Sequence, residues 1–415
     1  MKIEIISIGD ELLIGQTVNT NAAWMGEQLL LIGAPAEWVT TVGDSRANLL
    51  EALRIAESRA DVVLITGGLG PTHDDVTKSV CVEYFASRLV LNEAVLEAVR
   101  ERFRRRGIEM AKVNEEQALV PHNAEIIPNS RGTAPGMIFR KGDKAFYVMP
   151  GVPFEMKEMM IGRVLPELKA RLGGRVIAVR NLMTTGVPES ALYQQLDNLP
   201  LILERAQAAF LPNLYGVKIR LMAAADCAEE AERRVEEAAN MVKEKLGDCI
   251  YAETDIPLEA ALAELLRKAK KTLALAESCT GGHIANLFTN ISGSSEFFER
   301  GLVTYSNRAK MELLGVPAET IRRYGAVSAE TAVAMAEGVR RNAGTDYGLA
   351  VTGIAGPTGG TPEKPVGLVF VACSDADGVV WERHQFIDDR LGNKQRSAQA
   401  AMNLLRKRIL GMRHG

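Results

Sequence analysis

The stretch VVLITGGLGPTHDDVT, residues 62–77, decides the fold. Val62–Ile65 is a short apolar run of the kind buried on both faces in a parallel sheet. Thr66–Thr77 then brings glycines, a proline and two adjacent aspartates to the point where such a strand turns into a helix. Glycine lets main-chain amides approach a ligand closely, and a helix N-terminus attracts anions. Upstream, Lys2–Ile8 is a similar β-branched run. A helix pattern covers Ala22–Leu31 with Gly33 as its stop, and Glu37–Val42 reads as a second strand. Ser45 is placed to cap a helix whose Leu49, Leu53 and Ala56 share one face. This β-α-β-α-β order predicts an α/β fold with a doubly wound parallel sheet, in which ligands bind beyond the carboxyl ends of the strands. Phe146–Met149 adds a strand, and PGVPFEM, Pro150–Met156, opens a helix expected to stop at Gly173-Gly174.

A second signature, AESCTGG (Ala276–Gly282), follows the apolar run Leu273–Leu275. It lies in a second stretch of α/β alternation that begins at Pro257. Leu258, Leu262 and Leu265 are expected to face inward on a helix. Strands are expected at Thr272–Ala276, Leu302–Tyr305, Tyr347–Thr352, Gly367–Cys373 and Val379–Gln385. Ser328 suits the N-cap of a helix through Arg341, and Lys394–Ile409 reads as the closing helix. Between the two halves, Arg175–Glu253 changes character. Val176–Val179 and Val217–Met222 read as strands, and Ala231, Val235, Ala238, Val242 and Leu246 form one stripe of a charged helix. A small α/β sandwich fits this middle part. The expected domains are therefore 1–172, 173–254 and 255–415.

The 415 residues suffice for two or three domains with their own cores. A formal net charge of −3 gives no global field toward nucleic acid. The basic cluster Arg100–Arg106 is interrupted by Glu101 and reads as a solvated helix end. The cysteines (Cys81, Cys227, Cys249, Cys279, Cys373) form no CxxC pair, which argues against a disulfide framework or a zinc ribbon. No apolar run reaches about 18 residues, so the expectation is a cytoplasmic protein without a membrane partner.

Each signature suggests its own chemistry. Hydrolysis or transfer at a pyrophosphate needs charge neutralised on non-bridging oxygens, by amides and by a metal held on carboxylates. Gly67, Gly68 and Gly70 can supply the amides, and Asp10, Asp44, Asp74 and Asp75 the oxygen ligands. The competing reading is that Asp10 and Asp44 only cap helices. Asn19, Thr20 and Asn21 suit either a ribose contact or a cap. At the second signature, cleaving an amide needs a nucleophile, a base and donors for an oxyanion. Ser278 sits at the strand-to-helix turn, and the amides of Thr280, Gly281 and Gly282 suit the donors. No histidine completes a triad. A lysine whose pKa burial lowers can serve instead, and Lys310 in VTYSNRAK (Val303–Lys310) is the best candidate, with Tyr305 as relay. Cys279 is a rival nucleophile. A further glycine loop, TGIAGPTGG (Thr352–Gly360), together with Lys364, suits a phosphate grip.

At these motifs the chain resembles the CinA (competence/damage-inducible) family over essentially its whole length. SIGDELLIGQTVNTN (Ser7–Asn21), TGGLGPTHDDVT, NSRGTAPGM (Asn129–Met137) and MPGVPFEM resemble the molybdopterin-binding fold. The resemblance implies an ADP-ribose pyrophosphatase there, dependent on a divalent metal (Mg, Mn or Co) and potassium, with Asp75 in the phosphate–metal chemistry and Asn21 among the binding residues. The middle segment resembles a KH-type domain without its GxxG loop, so no nucleic-acid partner is expected. AESCTGG, GSSEFFERGLVTYSNRAK (Gly293–Lys310), GAVS (Gly325–Ser328) and TGIAGPTGGTPEKPVG (Thr352–Gly367) resemble nicotinamide-nucleotide amidohydrolase. That resemblance implies Ser278, Tyr305 and Lys310 as catalytic positions, with Ser294, Asn307, Gly353, Gly356 and Lys364 near the substrate and no cofactor. It also implies a homodimer. Nicotinamide mononucleotide and ADP-ribose are both fragments of NAD, so a bifunctional salvage enzyme is the expected function. A deamidase whose first domain only binds a nucleotide or pterin, and a regulatory scaffold in DNA uptake or repair, are the alternatives.

Overall fold

The structure is a computed structural model that describes residues 1–70, 75–107, 109, 110, 112–173 and 176–412. Asp74 and the helix stop expected at Gly174 lie outside the described residues. The chain divides into two compact units, Met1–Ala178 with Ala224–Glu232, and Val179–Ala223 with Arg233–Gly415.

In the first unit, β1 (Ile3–Ile8), β2 (Trp38–Val42) and β3 (Val62–Thr66) form at the runs the sequence marks. A small pair, β4 (Leu89–Leu91) and β5 (Leu119–Pro121), stands apart from the main sheet. β6 (Glu125–Ile127), β7 (Gly136–Lys141) and β8 (Lys144–Met149) complete the six-stranded order β2-β1-β3-β8-β7-β6. β1, β2, β3 and β8 are parallel, whereas β7 and β6 run antiparallel at one edge. The sheet is therefore mixed, because a loop joins β6 to β7 and a tight turn joins β7 to β8, neither with a helical crossover. Both faces are covered. Ile3, Ile5, Val62 and Leu64 pack with Met25 and Leu29 on one side. Ile6, Ile8, Val63 and Ile65 pack with Leu49, Leu53 and Ala56 on the other. This two-sided burial explains why the strands read as continuous apolar runs.

In the second unit, β9 (Val176–Thr184), β10 (Gln207–Pro212), β11 (Val217–Ala225) and β12 (Ile250–Ala252) give the order β10-β11-β9-β12. Ala231, Val235, Ala238, Val242 and Leu246 are all buried, as the stripe requires. Most of this middle sheet falls within the second compact unit. The main sheet comprises β13 (Leu273–Glu277), β14 (Phe298–Val303), β15 (Tyr347–Gly353), β16 (Leu368–Asp375) and β17 (Gly378–Gln385), ordered β14-β13-β15-β16-β17. β13 is parallel to β14 and β15, and β16 and β17 are antiparallel. One face packs on the helices Leu258–Ala269 and Arg390–Ile409. On the first of these Leu266 is fully buried and Leu265 only partly so, a shift of one position from the expected face. The other face packs on Ala329–Ala343. β14 begins earlier than expected and ends at Val303, which leaves Tyr305 outside the strand. Among the described residues no helix is long and apolar enough to cross a membrane.

The two serines expected as helix caps behave differently. Ser328 Oγ accepts the Thr331 amide at 3.2 Å, whereas Ser45 occupies the N-cap position with no side-chain cap bond. Ser328→Ala is expected to cost about 1 kcal/mol, and Ser45→Ala a few tenths. Thermal unfolding of the two variants side by side checks the ranking.

Candidate functional site

β13 lies inside its sheet, and its last residue, Glu277, is 1% exposed. The chain then turns through Ser278–Gly282 into the helix His283–Thr289. Gly281 and Gly282 take φ of 62° and 92°, a region that disfavours other residues. Glu277 holds the turn from beneath. Its carboxylate accepts the amides of Gly282 and Ile284, each at 3.1 Å, and of Ala285 at 2.8 Å. These are first-turn donors that the helix cannot satisfy itself. Ser278 N donates to Val351 O on β15 at 3.0 Å, which fixes the serine at the carboxyl end of the sheet.

Lys310 lies on the helix Asn307–Leu314, capped by Ser306, whose hydroxyl accepts the Ala309 amide. Its side chain is 1% exposed, and it is not the surface lysine that helix position alone would suggest. The amine is 3.0 Å from Ser278 Oγ, 2.8 Å from Thr304 O and 3.2 Å from Tyr305 O. Burial pushes its pKa below the usual lysine range. A neutral amine has two N–H donors and one lone pair. With the two carbonyls taking the two hydrogens, the lone pair is left facing the Ser278 hydroxyl.

The other expected residues divide. Cys279 is buried, and burial pushes its thiol up to about 12. It is therefore inert packing beside the serine, not a thiolate. Tyr305 contributes only its carbonyl. Its ring is 62% exposed, and its hydroxyl accepts from Arg390 at 3.2 Å, so the phenol does not relay between Ser278 and Lys310. Lys364 donates to Tyr324 O and Val327 O, at 2.6 and 2.7 Å, and so braces the chain before the helix Ala329–Ala343 instead of gripping a phosphate. The amide of Gly281 is spent on Ser278 O and that of Gly282 on Glu277, which removes both from the expected oxyanion donors. The amides of Cys279 and Thr280 remain, and both lie against the Cys279 thiol. Ser294 precedes β14, whose Phe298 pairs with Leu273 at the start of β13. It therefore belongs to the amino end of the sheet, opposite Ser278. Asn307 is exposed one turn before Lys310. Gly353 ends β15, on the Ser278 side, and Gly356 offers its carbonyl to Arg390.

Four participants were missed from sequence. Glu277 reads as one more strand residue until its burial is seen. Arg390, Asn393 and Lys394 arrive because the closing helix starts at Arg390 and not at Lys394. Asp389, which caps it by accepting the Gly392 amide at 2.7 Å, was the available signal. Asn393, fully buried, donates to Ala355 O at 3.0 Å and thereby holds the loop after β15. A Cβ on Gly281 would stand 3.7 Å from Lys394 Nζ, which puts that ammonium beside the serine turn.

In the first unit the glycine loop is built as a close approach. A Cβ on Gly67 would collide with Ile8 O, one on Gly68 with Thr77 Oγ1, and one on Gly70 with the Asp75 carboxylate. Thr77 Oγ1 donates to Gly67 O at 2.9 Å. Asn19 caps its helix by accepting the Ala22 amide. Asn21 Nδ2 donates to Gly151 O at 2.6 Å, and Thr66 Oγ1 donates to Pro150 O at 2.8 Å, so the loops after β3 and β8 are tied together. Asn21 Oδ1 is buried with no partner among the described residues. Asp10 and Asp44 brace each other. Asp10 N donates to Asp44 Oδ2 at 3.0 Å, and Asp44 N to Asp10 Oδ1 at 3.2 Å. Among the described residues no group of three or more His, Cys, Asp or Glu side chains is arranged to hold a metal ion.

Comparison with known proteins matches residues 4–170 to the probable molybdopterin binding domain, 179–252 to the damage-inducible protein CinA KH domain, and 255–409 to the CinA C-terminal domain. A putative competence-damage inducible protein of Caldicellulosiruptor bescii is 41% identical over 99% of this chain and 100% of its own. A CinA-like protein of Dictyoglomus thermophilum is 40% identical over the same shares. The crystal structure of the competence/damage inducible protein CihA from Agrobacterium tumefaciens is 41% identical, covers 36% of this chain and 91% of its own, and has a TM-score of 0.35.

Two measurements check the electrostatics of the serine turn. A lysine whose folded pKa is lowered binds its proton less tightly than the unfolded chain does, so its contribution to stability rises with pH up to about 10.4. Wild type should therefore gain stability relative to Lys310→Met as pH rises from 7 to 10 in urea titrations. A flat difference would contradict the lowered amine. In iodoacetamide labelling of the native protein at pH 8, the exposed Cys227 should react and Cys279 should not, as peptide mapping would register.

Proposed function

The chain belongs to the CinA family, and on that footing we propose that it hydrolyses the carboxamide of nicotinamide mononucleotide to nicotinate mononucleotide and ammonia. The observation that carries the reading is the buried Lys310 amine, 3.0 Å from Ser278 Oγ and held there by Thr304 O and Tyr305 O. Ser278 attacks the carboxamide carbon while Lys310 takes the hydroxyl proton. The charge that develops on the carbonyl oxygen calls for hydrogen-bond donors at the serine turn. Collapse of the tetrahedral adduct breaks the C–N bond, and Lys310 returns its proton to the departing nitrogen, which leaves as ammonia. Water then attacks the acyl ester, Lys310 again takes a proton, and Ser278 is regenerated with the carboxylate product. Lys394, which has no ion-pair partner among the described residues, is suited to the substrate phosphate.

For the first unit the reading is a nucleotide carrying a pyrophosphate, with ADP-ribose as the case the resemblance implies. Support comes from the close-approach glycine loop and the unpartnered Asn21 Oδ1. A divalent metal bound there would neutralise the pyrophosphate charge, with Asp10, Asp44 and Asp75 as the described carboxylates suited to hold it. The mutual bracing of Asp10 and Asp44 favours the second reading, a domain that binds its nucleotide without cleaving it.

Ser278→Ala and Lys310→Met should each lower ammonia release at least about 1000-fold, the order seen when a nucleophile or its base is removed. In wild type the rate should climb with pH as the neutral fraction of Lys310 grows. Lys394→Met should raise KM more than it lowers kcat. Mass spectrometry after incubation with both nucleotides, with and without chelator, separates the readings. Nicotinate mononucleotide is expected under both conditions. AMP and ribose 5-phosphate appearing only without chelator would restore a metal-dependent pyrophosphatase to the first unit, and Asp75→Asn should then remove those products alone.

A further inference from the structure

A cavity of about 470 Å³ in the second unit has neither Ser278 nor Lys310 in its lining. It is bounded by the segment Thr185–Glu189 after β9, the turn Pro212–Val217 between β10 and β11, strand β17 and the closing helix Arg390–Ile409. That volume falls in the range of small-ligand sites.

Its walls carry a specific chemistry. His384 and Phe386 have parallel rings, 5.6 Å apart between centroids and inclined by 4°. At that spacing they are offset-stacked on each other, and the outer ring face of the pair is the aromatic shelf of the cavity. On the closing helix, Gln399 and Asn403 are four residues apart and so share a face. Each carboxamide is half used, and the half used fixes its orientation. Gln399 Nε2 donates to Thr185 Oγ1 at 3.0 Å, and Asn403 Oδ1 accepts from Arg406 at 3.2 Å. Gln399 Oε1 and Asn403 Nδ2 are left, and neither has a partner among the described residues. Gly186, at φ 79°, lies against the second amide, where a Cβ would stand 2.8 Å from Asn403 Nδ2. One free acceptor beside one free donor matches the edge of adenine, which offers an amino hydrogen next to a ring-nitrogen acceptor. The cations of the cavity are already paired, Lys407 with Glu382 at 2.9 Å and Arg396 with Asp388. They leave no surplus for a polyphosphate.

We propose that this cavity binds an adenine nucleoside, either adenosine or its monophosphate, with the base on the His384–Phe386 shelf and its edge read by Gln399 and Asn403. The site is independent of the reaction assigned to Ser278. It shares a helix with that turn, however, because Asn393 and Arg390 on the same helix hold Ala355 O and Gly356 O.

Calorimetric titration of the full chain with adenosine, and separately with AMP, tests the proposal. Asn403→Asp keeps the oxygen that faces Arg406 and replaces the donor. It should weaken binding about tenfold or more, the loss expected for one recognition hydrogen bond. His384→Ala removes part of the shelf and should do the same, and it carries the test alone should Asn403→Asp not fold. Tighter binding of AMP than of adenosine would identify the monophosphate as the ligand, and equal binding the nucleoside. Wild type that takes up neither compound, or folded variants that titrate like wild type, would overturn the assignment.

Discussion

A lysine closed off from water between two carbonyl oxygens and a serine hydroxyl is held below the usual lysine pKa by its burial. As an ammonium it would carry a charge whose removal from water costs several kcal/mol, with no carboxylate among its three contacts to offset it. As an amine it is satisfied, since each hydrogen has an acceptor and the lone pair has a donor. The chemistry read from the second unit depends on this one contact. Sequence spacing brings Ser278 and Lys310 no closer than 32 positions. They meet because β13 and β14 are parallel, so that the chain leaving each strand emerges at the same end of the sheet.

The buried Glu277 does complementary work one residue earlier. It absorbs three amide donors that would otherwise favour an anion at the start of His283–Thr289. It also adds to the burial that keeps the Cys279 thiol protonated. The same carboxylate therefore fixes the bend that carries Ser278 and takes up the amides at the helix start.

Much of the architecture was legible because both main sheets are clothed on two faces, which writes continuous apolar runs into the sequence. The serine and the lysine were legible for a different reason, since each lies in a dense motif. What escaped was set by contacts distant in sequence. The antiparallel edge β7–β6 rests on short strands and a loop between them that periodicity does not distinguish from irregular chain. The contacts of Tyr305, Lys364 and Ser294 also lay beyond the sequence, since the phenol meets Arg390, the ammonium meets two carbonyls and the hydroxyl sits in the turn before β14. Glu277 was invisible for the opposite reason. A carboxylate inside a strand run looks like an outward-facing residue until the amides that neutralise it are seen.

Arg406 lies 2% exposed on the closing helix and donates to Asp248 O and Ile250 O, at 2.9 and 2.7 Å. Its charge is accommodated by the end of the middle segment and not by the sheet that the helix covers. A fragment cut to start at Pro257 would keep every strand of the five-stranded sheet and still strand this guanidinium without its acceptors. In such a fragment water would take the place of those acceptors, and the closing helix would lose its tie to the segment before it.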